Sequence, residues 1–234
     1  MSTLAIVSGG MDSVTMLHQL HYDGEKKLGA VSFNYGQRHN KELHFALQNC
    51  QDLDVEWTLV EMAFMKSLLE GSALTDARVD VPEGHYEADS MKATVVPNRN
   101  MIMISIAAGI AIAQDYDQVA VGIHAGDHAV YPDCRPLFAE KMNETLFTAT
   151  EGFWGAWVDK LYTPYIFSSK SEIVAFGEAI GVDYSKTWSC YKGEDIHCGK
   201  CGTCVERKEA FSLARVEDPT EYRDETFEVA AYRG

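Results

Sequence analysis

Two stretches of this chain hold residue types whose spacing can do chemistry. In Ser8-Gly9-Gly10-Met11-Asp12-Ser13, paired glycines between serines follow an apolar run and precede a helical pattern. Glycines there can turn several backbone N–H groups toward one point, and the helix behind adds its positive end, so the segment reads as an anion cradle for phosphate. It lacks the Lys-Ser/Thr ending of the common nucleotide-hydrolase loop. A tight strand-to-helix turn recruits glycine for its shape as well, so the loop alone leaves both readings open. The second stretch brings Cys190, Cys198, Cys201 and Cys204 together as C-x7-C-x2-C-x2-C, with turns at Gly199 and Gly202. Four soft thiolates on short turns suit a closed tetrahedral zinc site, structural because no position is left for substrate or water. An iron–sulfur cluster is the competing reading. The upstream fourth cysteine and the lack of a following Cys-Pro favour zinc. His197 could replace one ligand, although the cysteines already complete the set.

Short apolar runs alternate with segments of helical period, which predicts an α/β, Rossmann-like three-layer fold with a mostly parallel sheet. Strands are expected at residues 4–7, 28–34, 55–60 and 119–123, with another near 161–165. The first helix should begin at Asp12 or Ser13, and the second shows Leu43, Ala46, Leu47 and Cys50 as one buried stripe. The apolar run at 101–113 is too short for the roughly 20 residues that span a bilayer and reads as a buried helix. Periodicity fails over 72–97, which reads as a lid or an interface segment. Ser169 and Glu172 form a capping-box pair at another helix start, and they place Lys170 in its first turn.

The 234 residues, 46% of them hydrophobic, allow one substantial core and a small appended module, divided here as 1–185 for nucleotide binding and 186–234 for the zinc-binding segment, C-terminal helix and tail. A net charge of −15 disfavours stable binding to nucleic acid. No basic, apolar and small-residue leader pattern precedes the glycine turn, so the expected location is the cytoplasm, with no membrane association. Clustered cysteines in a reducing compartment point to metal before disulfide.

The string S-G-G-x-D-S after an N-terminal strand resembles the loop of the ATP pyrophosphatases. That resemblance implies an adenine nucleotide alpha hydrolase-like fold. It also implies an ATP site formed by Val7, Ser8, Gly9, Gly10, Met11, Asp12, Ser13, Val14, Thr15, Met16 and Leu17, with Tyr35, Gln37, Arg38 and Lys170, and magnesium offsetting the charge. Four further blocks, "FNYGQRHNKE", "VPNRNMIM", "YPDCRPLF" and "TWSCY…CGKCGTC", lie in one order over residues 4 to about 211. Together they resemble the 7-cyano-7-deazaguanine synthase family. The implied reaction uses ATP twice on one carbon. The carboxylate of 7-carboxy-7-deazaguanine is adenylated, ammonia displaces AMP to give the amide, and adenylation of the amide oxygen lets AMP leave as the nitrile forms. The implied catalytic residues are Asp12, Arg99, Lys170, Asp133 and Arg135. The implied substrate contacts are Arg38, Asn98, Arg99, Asn100, Asp127, Tyr131, Asp133 and Arg135. A homodimer is the family's expected assembly.

This chain departs from the family pattern in two places. Val96-Pro97-Asn98-Arg99-Asn100 stands where V-P-G-R-N is usual, and "HAGDHAV" stands where D-Y-S-G or D-F-S-G precedes Y-P-D-C-R. Both changes leave adenylation in place, and they keep open a homologue that stops at 7-amido-7-deazaguanine for DNA modification. An RNA sulfurtransferase using the same ATP loop is the more distant alternative. It predicts a basic face and a reactive cysteine outside the metal site, against the −15 charge balance.

Overall fold

A computed structural model of the chain describes residues 1–38, 40–68, 70–86, 88–126, 130–154 and 160–225. Five strands, β1 (Ser2–Ile6), β2 (Lys27–Asn34), β3 (Glu56–Glu61), β4 (Gln118–Val121) and β5 (Leu161–Tyr162), form one sheet in the order β3-β2-β1-β4-β5. Every pairing is parallel, with Ala5 opposite Ala30 on one side and Ala120 on the other. The helices are α1 (Met11–Tyr22), α2 (Lys41–Asp52), α3 (Met65–Leu68), α4 (Arg99–Ala113), α5 (Pro136–Ala149), α6 (Lys170–Ala179) and α7 (Gly202–Ala214).

Alternation along β1 shows how the three layers arise, since successive strand residues point to opposite faces. Leu4 and Ile6 enter a core shared with Ile104 and Ala108 of α4 and Met142 and Leu146 of α5. Ala5 and Val7 enter a second core with Met16 and Leu17 of α1, Ala46 of α2 and Ile173 of α6. Both faces of the strand are buried, as a parallel sheet with helices on either side requires.

Three expectations are refined. The fifth strand is two residues long, because Pro164 has no N–H to offer a ladder and the chain turns there. The apolar run at 101–113 forms α4, yet only Ile104, Ala107, Ala108 and Ala111 are buried, and Met101 is 40% exposed. Hydrophobic residues all round this helix therefore serve one core stripe and one surface strip. The segment 72–97 is docked within the chain. Residues Ser72 to Thr75 are buried, Ala73 donates its N–H to the Ala93 carbonyl at 2.7 Å, Gly84 donates to the Lys200 carbonyl at 3.0 Å, and Glu83 bridges Cys201.

Candidate active site

The order β2-β1-β4 places a switch point at the carboxyl end of β1, where open parallel sheets collect ligands. The chain leaves β1, and Gly9 takes φ +90°, a conformation that strains any residue with a side chain. A Cβ on Gly9 would also stand 1.9 Å from the carbonyl oxygen of Glu42, so the loop and the start of α2 are in direct backbone contact. The Ser13 hydroxyl donates to the Gly10 carbonyl at 3.0 Å and accepts from the Ser8 N–H at 3.1 Å, folding the loop around the first turn of α1. Gly122, just past β4, lets that strand approach the Asp12 carbonyl, which a Cβ would meet at 3.2 Å.

Facing the loop, Lys170 is the first residue of α6 because the Ser169–Glu172 capping box starts the helix there. Its Nζ lies 3.3 Å from Asp12 Oδ2 and 2.6 Å from Oε2 of the buried Glu206 on α7. His124 accepts the Gly126 N–H at Nδ1, which leaves its Nε2, 3.7 Å from Asp12 Oδ2, as the proton-bearing nitrogen. Asp12 Oδ1 is buried and accepts no hydrogen bond among the described residues. A buried carboxylate oxygen of this kind suits a bound cation or one of its waters.

On the other wall, Arg99 opens α4, and the residue before it, Asn98, holds φ 57°. Glycine and asparagine both adopt this left-handed conformation readily, so Asn98 meets the backbone demand of the glycine usual in the family pattern. Burial opposes the Arg99 charge, and Tyr35, Tyr191, Tyr131 and Cys134 around it hold the charge on, so its pKa stands above the ordinary arginine value. Tyr131 is fixed by Thr94 at 2.6 Å and meets the Tyr191 hydroxyl at 3.4 Å. Burial pushes the Glu42 carboxyl up to about 7, against the lowering influence of Arg99. The loop, Asp12, Lys170, Glu206, Glu42, Arg99 and Tyr131 all line one cleft of about 240 Å³.

The other candidate residues are distributed differently. Val14, Thr15, Met16 and Leu17 are buried beneath the loop, because after the first turn their side chains face the sheet and α6. Thr15 donates to the Met11 carbonyl at 2.8 Å, which ties its hydroxyl to the helix. Arg38 borders the cleft, but its guanidinium donates to the carbonyls of Ala73, Asp76 and Val79, fastening the 72–97 segment. Gln37 also borders the cleft, and its Oε1 accepts the Tyr35 N–H at 2.9 Å. Asp133 accepts the Asn100 N–H at 3.1 Å and so caps α4, while Asn100 donates back to the Asp133 carbonyl and to the Cys134 sulfur. Asn100, Tyr131 and Cys134 line the cleft; Asn98, Asp133 and Arg135 do not. Asp127 lies outside the described residues.

Sequence reasoning gave no role to Glu42, Glu206, Trp188 or Ser189, all of which line the cleft. Trp188 donates its N–H to the Gly9 carbonyl at 2.9 Å. The fully buried Arg207 holds that stretch in place through the Thr187 hydroxyl at 2.7 Å and the Asp218 carboxylate at 3.1 Å. The available signal was the cysteine cluster, which fixes the start of α7 and hence where Glu206 and Arg207 must point.

Cys190, Cys198, Cys201 and Cys204 are all buried, and their sulfurs lie within 4.8 Å of one another, a group that could hold a metal ion. The Cys198 sulfur accepts N–H bonds from Lys200 and Cys201 at 3.4 and 3.3 Å, a pattern that stabilises thiolate. His197 accepts the Ser189 N–H at Nε2, 3.1 Å away, so the donor set is four sulfurs without it.

The family model described as queuosine biosynthesis protein QueC matches residues 2–215. A 7-cyano-7-deazaguanine synthase from Rhizobium johnstonii is 52% identical over 231 residues, covering 99% of this chain and 96% of its own. One of the same description from Ruegeria pomeroyi is 50% identical over the full length of both. Among solved structures, an NH3-dependent NAD synthetase from Campylobacter jejuni is similar at TM-score 0.46 and 15% identity, over 79% of this chain and 66% of that one.

Proposed function

The chain belongs to the family of the queuosine biosynthesis protein QueC, and from that membership we propose that it makes 7-cyano-7-deazaguanine from 7-carboxy-7-deazaguanine, ammonia and ATP. The observation that carries this reading is one cleft with a phosphate loop and the Asp12–Lys170 pair on one wall and Arg99 on the other. A carboxylate is a poor acyl electrophile, and esterifying its oxygen to AMP supplies a leaving group. The backbone and hydroxyls of Ser8, Gly10 and Ser13, with Lys170, hold the departing diphosphate. Arg99 presents a forked donor to the substrate carboxylate or the transferring phosphoryl group, with Tyr131 beside it. Asp12 Oδ1 is suited to magnesium, which when bound neutralises phosphate charge. The four cysteines are suited to zinc, which when bound adds folding energy rather than chemistry. Residues 1–185 serve as the nucleotide-binding unit and 186–234 as the metal-binding segment.

The nitrile is favoured over the amide as end product because Asn98 preserves the left-handed turn before Arg99 and the full-length relatives are nitrile synthases by name. The sulfurtransferase reading is weakened, since four of the six thiols form a group that could hold a metal, Cys50 is buried in the core, and Cys134, although it borders the cleft, is a buried thiol whose sulfur accepts the Asn100 amide N–H. The surface strip of α4 with Met101, together with exposed Leu137 and Phe147 on α5, supports a homodimer. Six free thiols suit the reducing cytoplasm, and the −15 charge argues against stable nucleic-acid binding. The test supplies ATP, magnesium, ammonium and 7-carboxy-7-deazaguanine and follows AMP, pyrophosphate and product mass. Two AMP per nitrile is expected. Amide alone gives the truncated cycle, and the absence of acid-dependent AMP overturns the proposal.

A further inference from the structure

We propose that Glu42 is the catalytic base of the amidation step, taking a proton from ammonium so that ammonia attacks the activated carboxyl carbon. The inference rests on the ligase reading above and assigns a group which that reading leaves unused. Lys170, Asp12 and the loop serve the diphosphate end, and Arg99 serves the acid or phosphoryl group. Ammonium still has to lose a proton before its nitrogen has a lone pair to offer.

The position of Glu42 is fixed from two sides. Its carbonyl packs against the bare Cα of Gly9, which ties it to the phosphate loop. The preceding residue, Lys41, lies over the Trp188 ring at 4.6 Å and donates to the Glu194 carbonyl, which ties the same helical turn to the opposite strap of the cleft. The Glu42 carboxyl lines the cleft and makes no hydrogen bond or ion pair among the described residues. Facing it are Arg99 from the start of α4 and the Tyr35 phenol from the turn after β2, with Asp12, Lys170 and Glu206 lining the same cleft from α1, α6 and α7. Arg99 favours the ionised carboxylate and burial opposes it more strongly, leaving the group poised near neutrality, where a general base is most effective.

The step balances as follows. The Glu42 carboxylate takes one proton from ammonium, and the freed lone pair forms the carbon–nitrogen bond. The tetrahedral centre then collapses with cleavage of the bond from carbon to the AMP oxygen. The nitrogen's surplus proton leaves with the AMP phosphate, and Glu42 returns its own to water.

The experiment compares Glu42→Gln and Glu42→Asp with wild type in two assays. One is acid-dependent exchange of labelled pyrophosphate into ATP, which needs no ammonia; the other is amide and nitrile formation with saturating ammonium chloride. At neutral pH, Glu42→Gln should lower product formation on the order of 100-fold more than it lowers exchange, with Glu42→Asp in between. Raising the pH to ~9.5, where free ammonia replaces ammonium, should largely erase the difference, and the wild-type acid limb near neutrality should vanish in Glu42→Gln. Equal loss in both assays, or a product defect that persists at high pH, overturns the proposal and makes Glu42 a structural residue. Wild type without acid-dependent exchange overturns the ligase reading beneath it, a distinct result.

Discussion

Lys170 Nζ lies 2.6 Å from a Glu206 carboxylate oxygen, so the residue that faces the phosphate loop from α6 is held by a residue on α7, two positions after Cys204. The pair is largely buried, and removing one charge of such a pair leaves the other without compensation. Glu206→Gln should therefore let Lys170 swing toward Asp12 and lower kcat/KM for ATP by about tenfold. Steady-state kinetics with each substrate varied in turn check this. An equal loss for ATP and for the deazapurine acid would contradict a role directed at phosphate.

Asn98 supports a second expectation. At φ 57° it occupies a conformation that costs an ordinary side chain about 1–2 kcal/mol, so Asn98→Gly should retain stability and product while Asn98→Ala loses roughly that amount. Urea unfolding of the three proteins measures it. Nitrile yield from Asn98→Gly should equal that of wild type, because the backbone before Arg99 is unchanged.

The cysteine cluster and the loop are expected to separate into fold and chemistry. Cys201→Ser should lower bound metal below one ion per chain and cost several kcal/mol of stability, on the order of 2–5. Asp12→Ala should abolish turnover with metal content and melting behaviour intact. Metal analysis by emission spectroscopy beside thermal melts distinguishes them, and joint unfolding of both variants would refute the division.

Stability should also depend on pH through Glu42. The folded carboxyl ionises near 7 and the unfolded one near its ordinary value of 4.5. Between those values the folded chain binds more protons than the unfolded one, so this contribution is intact below about 4.5 and stability declines as pH rises toward 7. Glu42→Gln should flatten that part of the profile, read by urea midpoints across pH. A rise in wild-type stability through this window that Glu42→Gln leaves unchanged would contradict the raised value.

Much of this architecture was legible because local and tertiary signals agree. Short apolar runs marked the strands, the Ser169–Glu172 pair marked the start of α6, and the cysteine spacing marked the group of four buried sulfurs that could hold a metal. Where the reading fell short, the cause lies in long-range geometry. α4 is apolar all round, so its sequence does not reveal which strip faces the sheet. Arg38 reads as a ligand contact and does border the cleft, yet nothing local marks that its Nε and Nη2 also donate to three backbone carbonyls more than thirty residues away in the chain. Glu42 and Glu206 are two acids among 35, and nothing local distinguishes them until folding brings them to one cleft.

The 72–97 strap and the cysteine turn grip each other, with Glu83 bridging Cys201, Gly84 bound to Lys200 and Met91 pressed on Gly202. The four-sulfur cluster, whose neighbours Ser189, Tyr191, Thr203 and Glu206 line the cleft, thereby braces one of its walls. Loosening that brace is therefore expected to open the cleft to bulk water, so that ATP is spent and the acid is returned unchanged.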